Sequence, residues 1–421
     1  MAGRLLASVV FGVCVFGVSA APSPFKGEYI GVPVSNPDIA QAIPHCYIVV
    51  YNSTFDQNVV QQHQASVIKS IAKRNIGRRG ERSGNLLSTS VRTFKINKWN
   101  AMALEADDLM INQIFADEAV SYIEQDAYVG LDAKLIQRPA TTGLGRISHA
   151  ATGNREYIFD SSAGEGITAF VVDTGIRIQH TEFEDRATFG ANFINNVDDD
   201  ENGHGSHVAG TIGGKTVGVA KNVKLIAVKV LDAEGSGTNS GVIAGMNFVA
   251  ETATSSKLSG KAVMNMSLGG AFSNAVNAAI NAIANAGVVP IVAAGNEAQD
   301  TARTSPGSAE AAITVGAIDQ TTDQIASFSN FGRLVDIFAP GVNVRSVGIT
   351  DNSAFATLSG TSMASPHVAG LSAYLMALEN ITSVAAVSNR IKDLARVTKA
   401  TVKGSPRGTT NLIANNGNLN A

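Results

Sequence analysis

Three short segments of the 421-residue chain bring together an acid, an imidazole and a hydroxyl. Asp173 ends an apolar run, His204 lies between two glycines, and Ser362 follows a Gly-Thr pair at the start of a predicted helix. Each residue alone fits a turn or a helix cap as well as it fits catalysis. Together they are the parts of a relay, because a serine hydroxyl attacks well only when an imidazole takes its proton and a carboxylate orients that imidazole.

The scaffold for this relay is predicted by apolar runs in the second part of the chain. They are five to seven residues long, rich in Val, Ile and Ala, and alternate with helical stretches: Thr168–Val172, Leu225–Val230, Ala262–Met266, Val288–Ala294 and Ile313–Ala317. Strands buried on both faces and separated by helices predict a mostly parallel sheet in a three-layer α/β domain. Functional side chains in such sheets lie where strands end and helices begin, which suits the three segments.

A smaller unit precedes this domain, with its folded part at about residues 44–129. Apolar patterning predicts strands at residues 47–51, 91–96, 101–105 and 120–124, and helices at residues 56–76 and 106–118. The helix at residues 56–76 is expected to bury Val59, Val60, Ala65, Ile68 and Ile71. The order β-α-β-β-α-β predicts a ferredoxin-like α+β fold.

The N-terminus has the pattern of a secretory signal peptide. Arg4 precedes an apolar run that ends in small residues at Ala20, so we expect cleavage after Ala20 and export of the product. The run is shorter than the about 20 apolar residues of a membrane span, and no later segment is long enough. The sequence therefore predicts a soluble, secreted, extracellular protein that is not attached to a membrane.

Composition excludes several other classes. The formal net charge is -3 and only 16% of residues are charged, so the chain lacks the positive field that nucleic-acid binding needs. The two cysteines, Cys14 and Cys46, both precede Tyr47. A disulfide framework or a cysteine-ligated metal site is thereby excluded from the rest of the chain.

Asp173, His204 and Ser362 lie in the tracts Phe170–Gly175, Asn202–Gly210 and Ser359–Gly370. The order Asp, His, Ser with these flanking residues resembles the subtilisin-like serine peptidases, and in particular the secreted proteinase K-like branch found in fungi. The resemblance covers the whole chain: residues 47–129 are similar to the family's inhibitory propeptide, and residues 143–378 to its peptidase domain. Further matching tracts are Gly218-Val219-Ala220, Val228-Lys229-Val230-Leu231-Asp232, Ser267-Leu268-Gly269-Gly270, Ala293-Ala294-Gly295-Asn296 and Ser327-Phe328-Ser329-Asn330.

The resemblance assigns roles to the catalytic residues. It implies that Ser362 is the nucleophile, that His204 is the general base and then acid, and that Asp173 orients His204. It also implies that the side chain of Asn296 and the backbone N–H of Ser362 stabilise the oxyanion. His207 and His367 lie in the same motifs and are expected to be packing residues.

Substrate is expected to bind as an added strand. The family uses two tracts for this, here Gly235-Ser236-Gly237 and Ser267-Leu268-Gly269-Gly270, whose glycines allow close backbone approach. Ala293, Ala294 and Gly295 are expected beside the primary pocket. With no charge in these tracts, the resemblance implies broad specificity with a preference for apolar or aromatic residues before the scissile bond. The partners are then protein and peptide substrates.

Structural calcium (Ca2+) is the cofactor that the resemblance implies. The matching ligands are the backbone oxygens of Glu310 and Ala312 and the carboxylate of Asp336, and oxygen ligands of this kind suit calcium. Another acidic tract, Asp198–Gly203, imitates half of an EF-hand loop but has Ala209 where a bidentate Glu is needed. We interpret this tract as a solvated loop with a modest effect on the pKa of His204.

The resemblance also implies a zymogen, in which the propeptide assists folding, inhibits the enzyme as its intramolecular partner, and is removed by self-cleavage. We expect the cut after Asp132, which divides the chain into a signal peptide (1–20), a propeptide (21–132) and a monomeric peptidase (133–421). Asn52 and Asn380 are candidate glycosylation sites. A third sequon, at Asn265, lies in a predicted buried strand and is expected to stay bare.

Two other functions fit parts of the pattern. Asp173-Thr174-Gly175 is also the aspartic-protease signature, but that chemistry needs two neighbouring carboxylates and the chain has no second Asp-Thr-Gly or Asp-Ser-Gly. A catalytically silent subtilisin-like binding protein would have lost at least one catalytic residue. Asp173, His204, Asn296 and Ser362 are all present, which favours an active endopeptidase.

Overall fold

The computed structural model describes residues 33–36, 42–78, 86–127 and 134–418. The chain divides into two compact units, residues 1–130 and 131–421. The predicted signal peptide and the predicted cuts after Ala20 and Asp132 lie outside the described residues.

The smaller unit contains a four-stranded antiparallel sheet and two helices. In chain order they are β1 (Ala42–Tyr51), α1 (Gln57–Arg74), β2 (Arg92–Ile96), β3 (Trp99–Glu105), α2 (Asp108–Phe115) and β4 (Val120–Ala127). The strand order in the sheet is β2-β3-β1-β4. This connectivity and strand order are ferredoxin-like, as the sequence pattern predicts. The core between sheet and helices includes Val49, Ile71, Met102, Ile111 and Ile123.

The apolar face of α1 differs from the prediction. Asp56 is the N-cap, with its carboxylate accepting from the Asn58 N–H, and the helix ends at Arg74. The buried positions are Val60, Gln64, Val67 and Ile71, which follow one helical stripe. Val59, Ala65 and Ile68 lie off this stripe and are exposed, Val59 by 44% and Ile68 by 38%, so the prediction that these three are buried is wrong.

The larger unit is an α/β domain. Its elements are β5 (Lys134–Gln137), α3 (Thr142–Ser148), β6 (Tyr157–Asp160), β7 (Thr168–Asp173), β8 (Ala187–Asn192), α4 (His204–Gly213), β9 (Lys224–Lys229), α5 (Asn239–Ser255), β10 (Ala262–Met266), β11 (Gly270–Ala271), α6 (Asn274–Asn285), β12 (Val288–Ala293), β13 (Thr304–Ser305), β14 (Ile313–Asp319), β15 (Gln324–Ile325), β16 (Ile337–Pro340), β17 (Val344–Val347), β18 (Phe355–Leu358), α7 (Thr361–Glu379) and α8 (Val384–Thr398).

The central sheet has the order β15-β14-β12-β10-β7-β9-β8, with β16 also paired to β14. All of these pairs are parallel except β14 with β15. Alternate residues of β7 point to opposite faces: Ala169 and Val171 join the core with α4 and α7, whereas Phe170 and Val172 join the core with α5 and α6. The domain therefore has the three layers that the sequence predicts.

The five apolar runs all form central strands of this sheet, with bounds within two residues of the prediction. They could be found from sequence because both faces of each strand are buried, which leaves a continuous apolar run. The parallel direction also brings the carboxyl ends of β7, β10 and β12 to one edge. The segments that follow these strands carry Thr174, Ser267 and Asn296.

Across the described ranges, no single helix combines the length and apolar character needed to cross a bilayer. The pair α7 and α8, bent by 102°, meets the criterion jointly, on length and composition alone.

Candidate active site

Asp173 and His204 form a close hydrogen-bonded pair. Asp173 is the last residue of β7, and its side chain is fully buried; His204 is the first residue of α4, and its side chain is 26% exposed. The Nδ1 atom of His204 lies 2.7 Å from Oδ1 of Asp173. The same oxygen accepts the N–H of Thr174 at 2.8 Å, which fixes the carboxylate. The pair leaves Nε2 as the ring nitrogen for proton transfer.

A second carboxylate, that of Asp200, holds the turn in front of His204. It is 2% exposed and accepts five hydrogen bonds. Oδ1 accepts from the Thr174 hydroxyl and from the N–H groups of Asn202 and Gly203, at 2.8, 3.1 and 2.8 Å. Oδ2 accepts from the N–H and hydroxyl of Ser206, at 2.8 and 2.7 Å. Asp200 thus joins the residue after Asp173 to the first turn of α4.

For Asp200 the interpretation of residues 198–203 as a solvated loop is wrong. Asp198 is exposed as expected, but the chain turns inward at Asp200, where Thr174 and Ser206 supply donors. Both donors lie outside residues 198–203, so the acidic run by itself has the pattern of a solvated loop. The Ser206 hydroxyl is one of these donors, at 2.7 Å from Oδ2 of Asp200.

A buried lysine supports the same corner. Lys229 ends β9, its side chain is fully buried, and its ammonium donates to the backbone oxygens of Thr174 and Leu231 at 2.7 and 3.2 Å. The Glu201 carboxylate provides the counter-charge, with its Oε2 atom 3.5 Å from Nζ of Lys229. A buried charge is stable only with such partners, so Lys229 fixes the backbone that follows Asp173.

Several charges act on the pKa of His204. Burial lowers it, but the charge of Asp173, the hydrogen bond to Asp173 and the charge of Asp200 raise it, and the net result is a pKa above the usual 6.5. His207 and His367 differ: both are buried, and burial lowers their pKa values to about 4. Their ring nitrogens contact the backbone oxygens of Val344 and Met363, so both are packing residues as predicted.

Ser362 lies in the first turn of α7, and its backbone is tied to the end of β10. Its hydroxyl donates to the backbone oxygen of Ser267 at 3.1 Å, and the Ser267 hydroxyl donates to the backbone oxygen of Ser362 at 2.8 Å. Asn265 and Ser365 continue the contact between strand and helix through a 2.7 Å hydrogen bond. In this rotamer the Ser362 hydroxyl points to Ser267 and does not hydrogen-bond to His204.

The Asn296 side chain is held through its oxygen. Oδ1 accepts both the N–H and the hydroxyl of Thr361, each at 2.8 Å. Nδ2 makes no hydrogen bond to the described residues and is available as a donor. A methyl group placed on Gly360 would lie 3.6 Å from both Asn296 Nδ2 and the Ser362 nitrogen. The two donors that the resemblance assigns to the oxyanion therefore border one small space beside a glycine.

Asn330 fixes the loop that carries Asn296. It is fully buried; its amide donates to the Ala294 backbone oxygen and the Glu297 carboxylate, and its oxygen accepts from the N–H groups of Glu297 and Gln299. A Cβ on Gly295, whose φ is +106°, would lie 2.3 Å from the Asn330 amide nitrogen. Glycine is therefore required immediately before Asn296.

A groove of about 530 Å³ has His204 on its lining and is bordered by both predicted substrate tracts. Gly235, Ser236 and Gly237 are on its lining, as are Ser267, Leu268, Gly269 and Gly270. Apolar side chains and one acid, Glu234, line the same groove: Leu231, Val242, Val276, Pro306 and Glu234. Ala293, Ala294 and Gly295 are not part of this lining; the two alanines are buried.

The predicted calcium ligands lie at the opposite edge of the sheet. Glu310 and Ala312 precede β14, and Asp336 precedes β16, its parallel neighbour. The Asp336 carboxylate pairs with the Lys392 ammonium at 2.7 Å and accepts the Thr314 N–H at 2.9 Å. As folded, these residues do not present a free carboxylate to an ion, and the calcium site stays a prediction.

The sequons differ in accessibility. Asn380 is exposed at the end of α7, and Asn52 is partly exposed. Asn265 is fully buried in β10, with its amide bonded to the Ser267 hydroxyl, which agrees with the expectation that it stays bare.

An acid, an imidazole, a hydroxyl and an amide donor at one edge of a parallel sheet are the components of a serine hydrolase site. Comparison with known proteins agrees: the model of the subtilase family matches residues 164–417. The chain belongs to the subtilase family of serine peptidases.

Similar proteins cover nearly the full length. Subtilisin-like protease 2 of Pseudogymnoascus destructans is 46% identical over 405 residues, covering 95% of each chain. Alkaline protease 1 of Aspergillus flavus is 45% identical over 390 residues, covering 92% of this chain and 95% of the relative. A cold adapted subtilisin-like serine proteinase of known crystal structure matches with a TM-score of 0.60 and 41% identity, covering 65% of this chain and 97% of its own.

Proposed function

We propose that this chain is a secreted serine endopeptidase that is made as an inactive precursor and matures by cutting itself. The observation that carries the proposal is the 2.7 Å contact between His204 and the buried Asp173, next to a groove bordered by two glycine-rich segments. An extended peptide would pair with these segments, and its scissile carbonyl would lie between Ser362 and Asn296.

In the first chemical step the Ser362 hydroxyl changes its hydrogen-bond partner. The Ser362 hydroxyl turns from the Ser267 oxygen toward Nε2 of His204, which accepts its proton while Oγ bonds to the scissile carbon. The carbonyl oxygen gains the negative charge, and Asn296 Nδ2 and the Ser362 N–H stabilise it. Asp173 holds the ring tautomer and stabilises the imidazolium that forms.

The second half regenerates the enzyme. His204 gives its proton to the leaving amine, and the peptide bond breaks to leave an ester on Ser362. A water molecule, deprotonated by His204, then attacks that ester, and the proton returns to Ser362 as the acid product leaves. Broad specificity with an apolar or aromatic residue before the cut is supported by the apolar lining and the backbone mode of pairing.

The alternative is a subtilisin-like binding protein without catalysis. The orientation of the Ser362 hydroxyl toward Ser267 would fit a protein without catalysis. The hydrogen bond between a catalytic serine and its histidine, however, is often long or misaligned before substrate binds, so this orientation also fits an enzyme. The intact set of Asp173, His204, Asn296 and Ser362 favours the enzyme.

The test compares the full-length precursor with Ser362→Ala. Wild type should shorten to a mature form and hydrolyse casein, while the variant should stay near full length and lose turnover by about a million-fold. Ser372→Ala, on the same helix but bonded only to the backbone oxygen of Val368, is a control that should still mature. Maturation of Ser362→Ala without added protease would overturn the proposal.

A further inference from the structure

The Asp336–Lys392 pair lies where the resemblance predicts a calcium ion. Asp336 precedes β16, and Glu310 and Ala312 precede β14, so all three lie at the amino ends of parallel strands. The candidate active site is built on the opposite, carboxyl ends. A change in this pair should therefore affect stability and metal binding without touching catalysis.

Both oxygens of the Asp336 carboxylate are occupied by the protein itself. Oδ1 accepts from the Lys392 ammonium at 2.7 Å, and Oδ2 accepts from the Thr314 N–H at 2.9 Å. Each side chain of the pair is 24% exposed, so the ion pair is largely shielded from water. The backbone N–H of Asp336 also donates to the Thr314 oxygen at 2.9 Å, which holds the carboxylate against β14.

Lys392 is fixed in place by the helix that carries it. Its neighbours Ile391, Leu394 and Ala395 on α8 are buried in the main core of the domain. The N-terminus of α8 is capped by Ser383, whose hydroxyl accepts from the Ala386 N–H. Lys392 is therefore held beside Asp336 by a helix that packs on the core, and not by a loop.

An ammonium and a calcium ion compete for one carboxylate. Calcium takes six to eight oxygen ligands and gains most from a charged one, and a fixed positive charge at hydrogen-bond distance from that ligand repels it. The backbone oxygens of Glu310 and Ala312 remain available as calcium ligands. Outside the helices and strands of the described chain, no backbone N–H donates to either oxygen.

We propose that Lys392 takes the place of the metal ion at Asp336. The ammonium neutralises the carboxylate and ties α8 to the start of β16, so this part of the wild-type fold needs no calcium. Removing the ammonium while keeping the aliphatic stem leaves Asp336, with the Glu310 and Ala312 oxygens, as a calcium site.

The test counts calcium ions bound to the full-length chain. All proteins carry Ser362→Ala to prevent self-digestion, and calcium chloride is titrated by isothermal calorimetry into metal-free protein. The variants are Lys392→Met, which keeps bulk and removes charge, Lys392→Arg, which keeps charge, Asp336→Asn, and the double variant Lys392→Met with Asp336→Asn.

Lys392→Met should bind one more calcium ion per chain than the parent, and the double variant should lose that ion. Lys392→Arg should bind as the parent does. At about a hundredfold excess of calcium over its dissociation constant, the melting temperature of Lys392→Met should rise by roughly 5 °C or more relative to the parent's own response. The proposal is overturned if Asp336→Asn alone removes a calcium ion from the parent, or if Lys392→Met gains none.

Discussion

Replacing Asp200 by Asn tests whether this buried carboxylate positions His204. The substitution keeps the size and shape of the side chain and removes one acceptor oxygen and the charge. Asp200 now accepts five hydrogen bonds from Thr174, Asn202, Gly203 and Ser206. The variant therefore changes the support of the turn while leaving Asp173 and His204 intact.

The expected magnitude follows from counting donors. An asparagine amide placed at the present Oδ2 would face the Ser206 N–H with another donor, and the Ser206 hydroxyl can turn to accept but the N–H cannot. One buried N–H without a partner lowers the free energy of unfolding by about 1–3 kcal/mol. In the opposite orientation the amide NH2 would face the N–H groups of both Asn202 and Gly203 and leave both without an acceptor, so this orientation is less favourable.

Activity should fall more than stability implies, because the same turn sets the position of His204. A displacement near 1 Å at a catalytic group lowers turnover about 100-fold, so we expect kcat/KM to fall by roughly 10- to 100-fold. The charge of Asp200 is one of the causes that raise the pKa of His204. Its removal should therefore move the acid limb of the pH profile to lower pH.

The assay is hydrolysis of a chromogenic peptide across about pH 5 to 10, with thermal unfolding of the same samples. Asp198→Asn is the matched control, because it removes the same charge from the same loop at an exposed side chain. It should change stability by no more than about 0.5 kcal/mol. Equal kcat/KM and an unmoved acid limb in Asp200→Asn would refute the positioning role.

Three further predictions follow from the site. In the wild type, kcat/KM should fall as pH drops through a midpoint above 6.5, because the raised pKa of His204 leaves more imidazolium, which cannot accept the Ser362 proton; a midpoint below 6.5 would contradict this. Asn296→Ala should lower kcat by about 100- to 1000-fold with little change in KM, whereas Thr361→Val, which removes one of the two bonds to Asn296 Oδ1, should lose less. Glu234→Gln should reduce kcat/KM roughly two- to fivefold for peptides that place a lysine in the groove, with no change for their norleucine counterparts.

Much of the fold could be predicted because its signals are local. Each central strand, such as β10 at Ala262–Met266, is buried on both faces and is a continuous apolar run. The small unit's β-α-β-β-α-β order could also be predicted. The face of α1 could not, since Val59 and Val67 are equally apolar and only the docked helix decides that Val67 is buried.

The site divides in the same way. Asp173, His204 and Ser362 lie in recognisable segments, and the segments could be found without a structure. The supporting residues could not: Lys229 reaches Thr174 from another strand, and Lys392 reaches Asp336 from a helix 56 residues later. The role of Asp200 could not be predicted either, because its neighbours Asp198, Asp199 and Glu201 give the tract the pattern of a solvated acidic loop.

The role of Ser362 is tested most directly by covalent labelling with a serine-directed fluorophosphonate, followed by peptide mapping. We expect one adduct, on Ser362, with labelling slowed by at least about a thousandfold in His204→Ala and lost in Ser362→Ala. Ser372→Ala, on the same helix, should label as the wild type does. Labelling of the wild type at any other residue, or equal labelling without His204, would contradict the assignment of Ser362 as a nucleophile activated by His204.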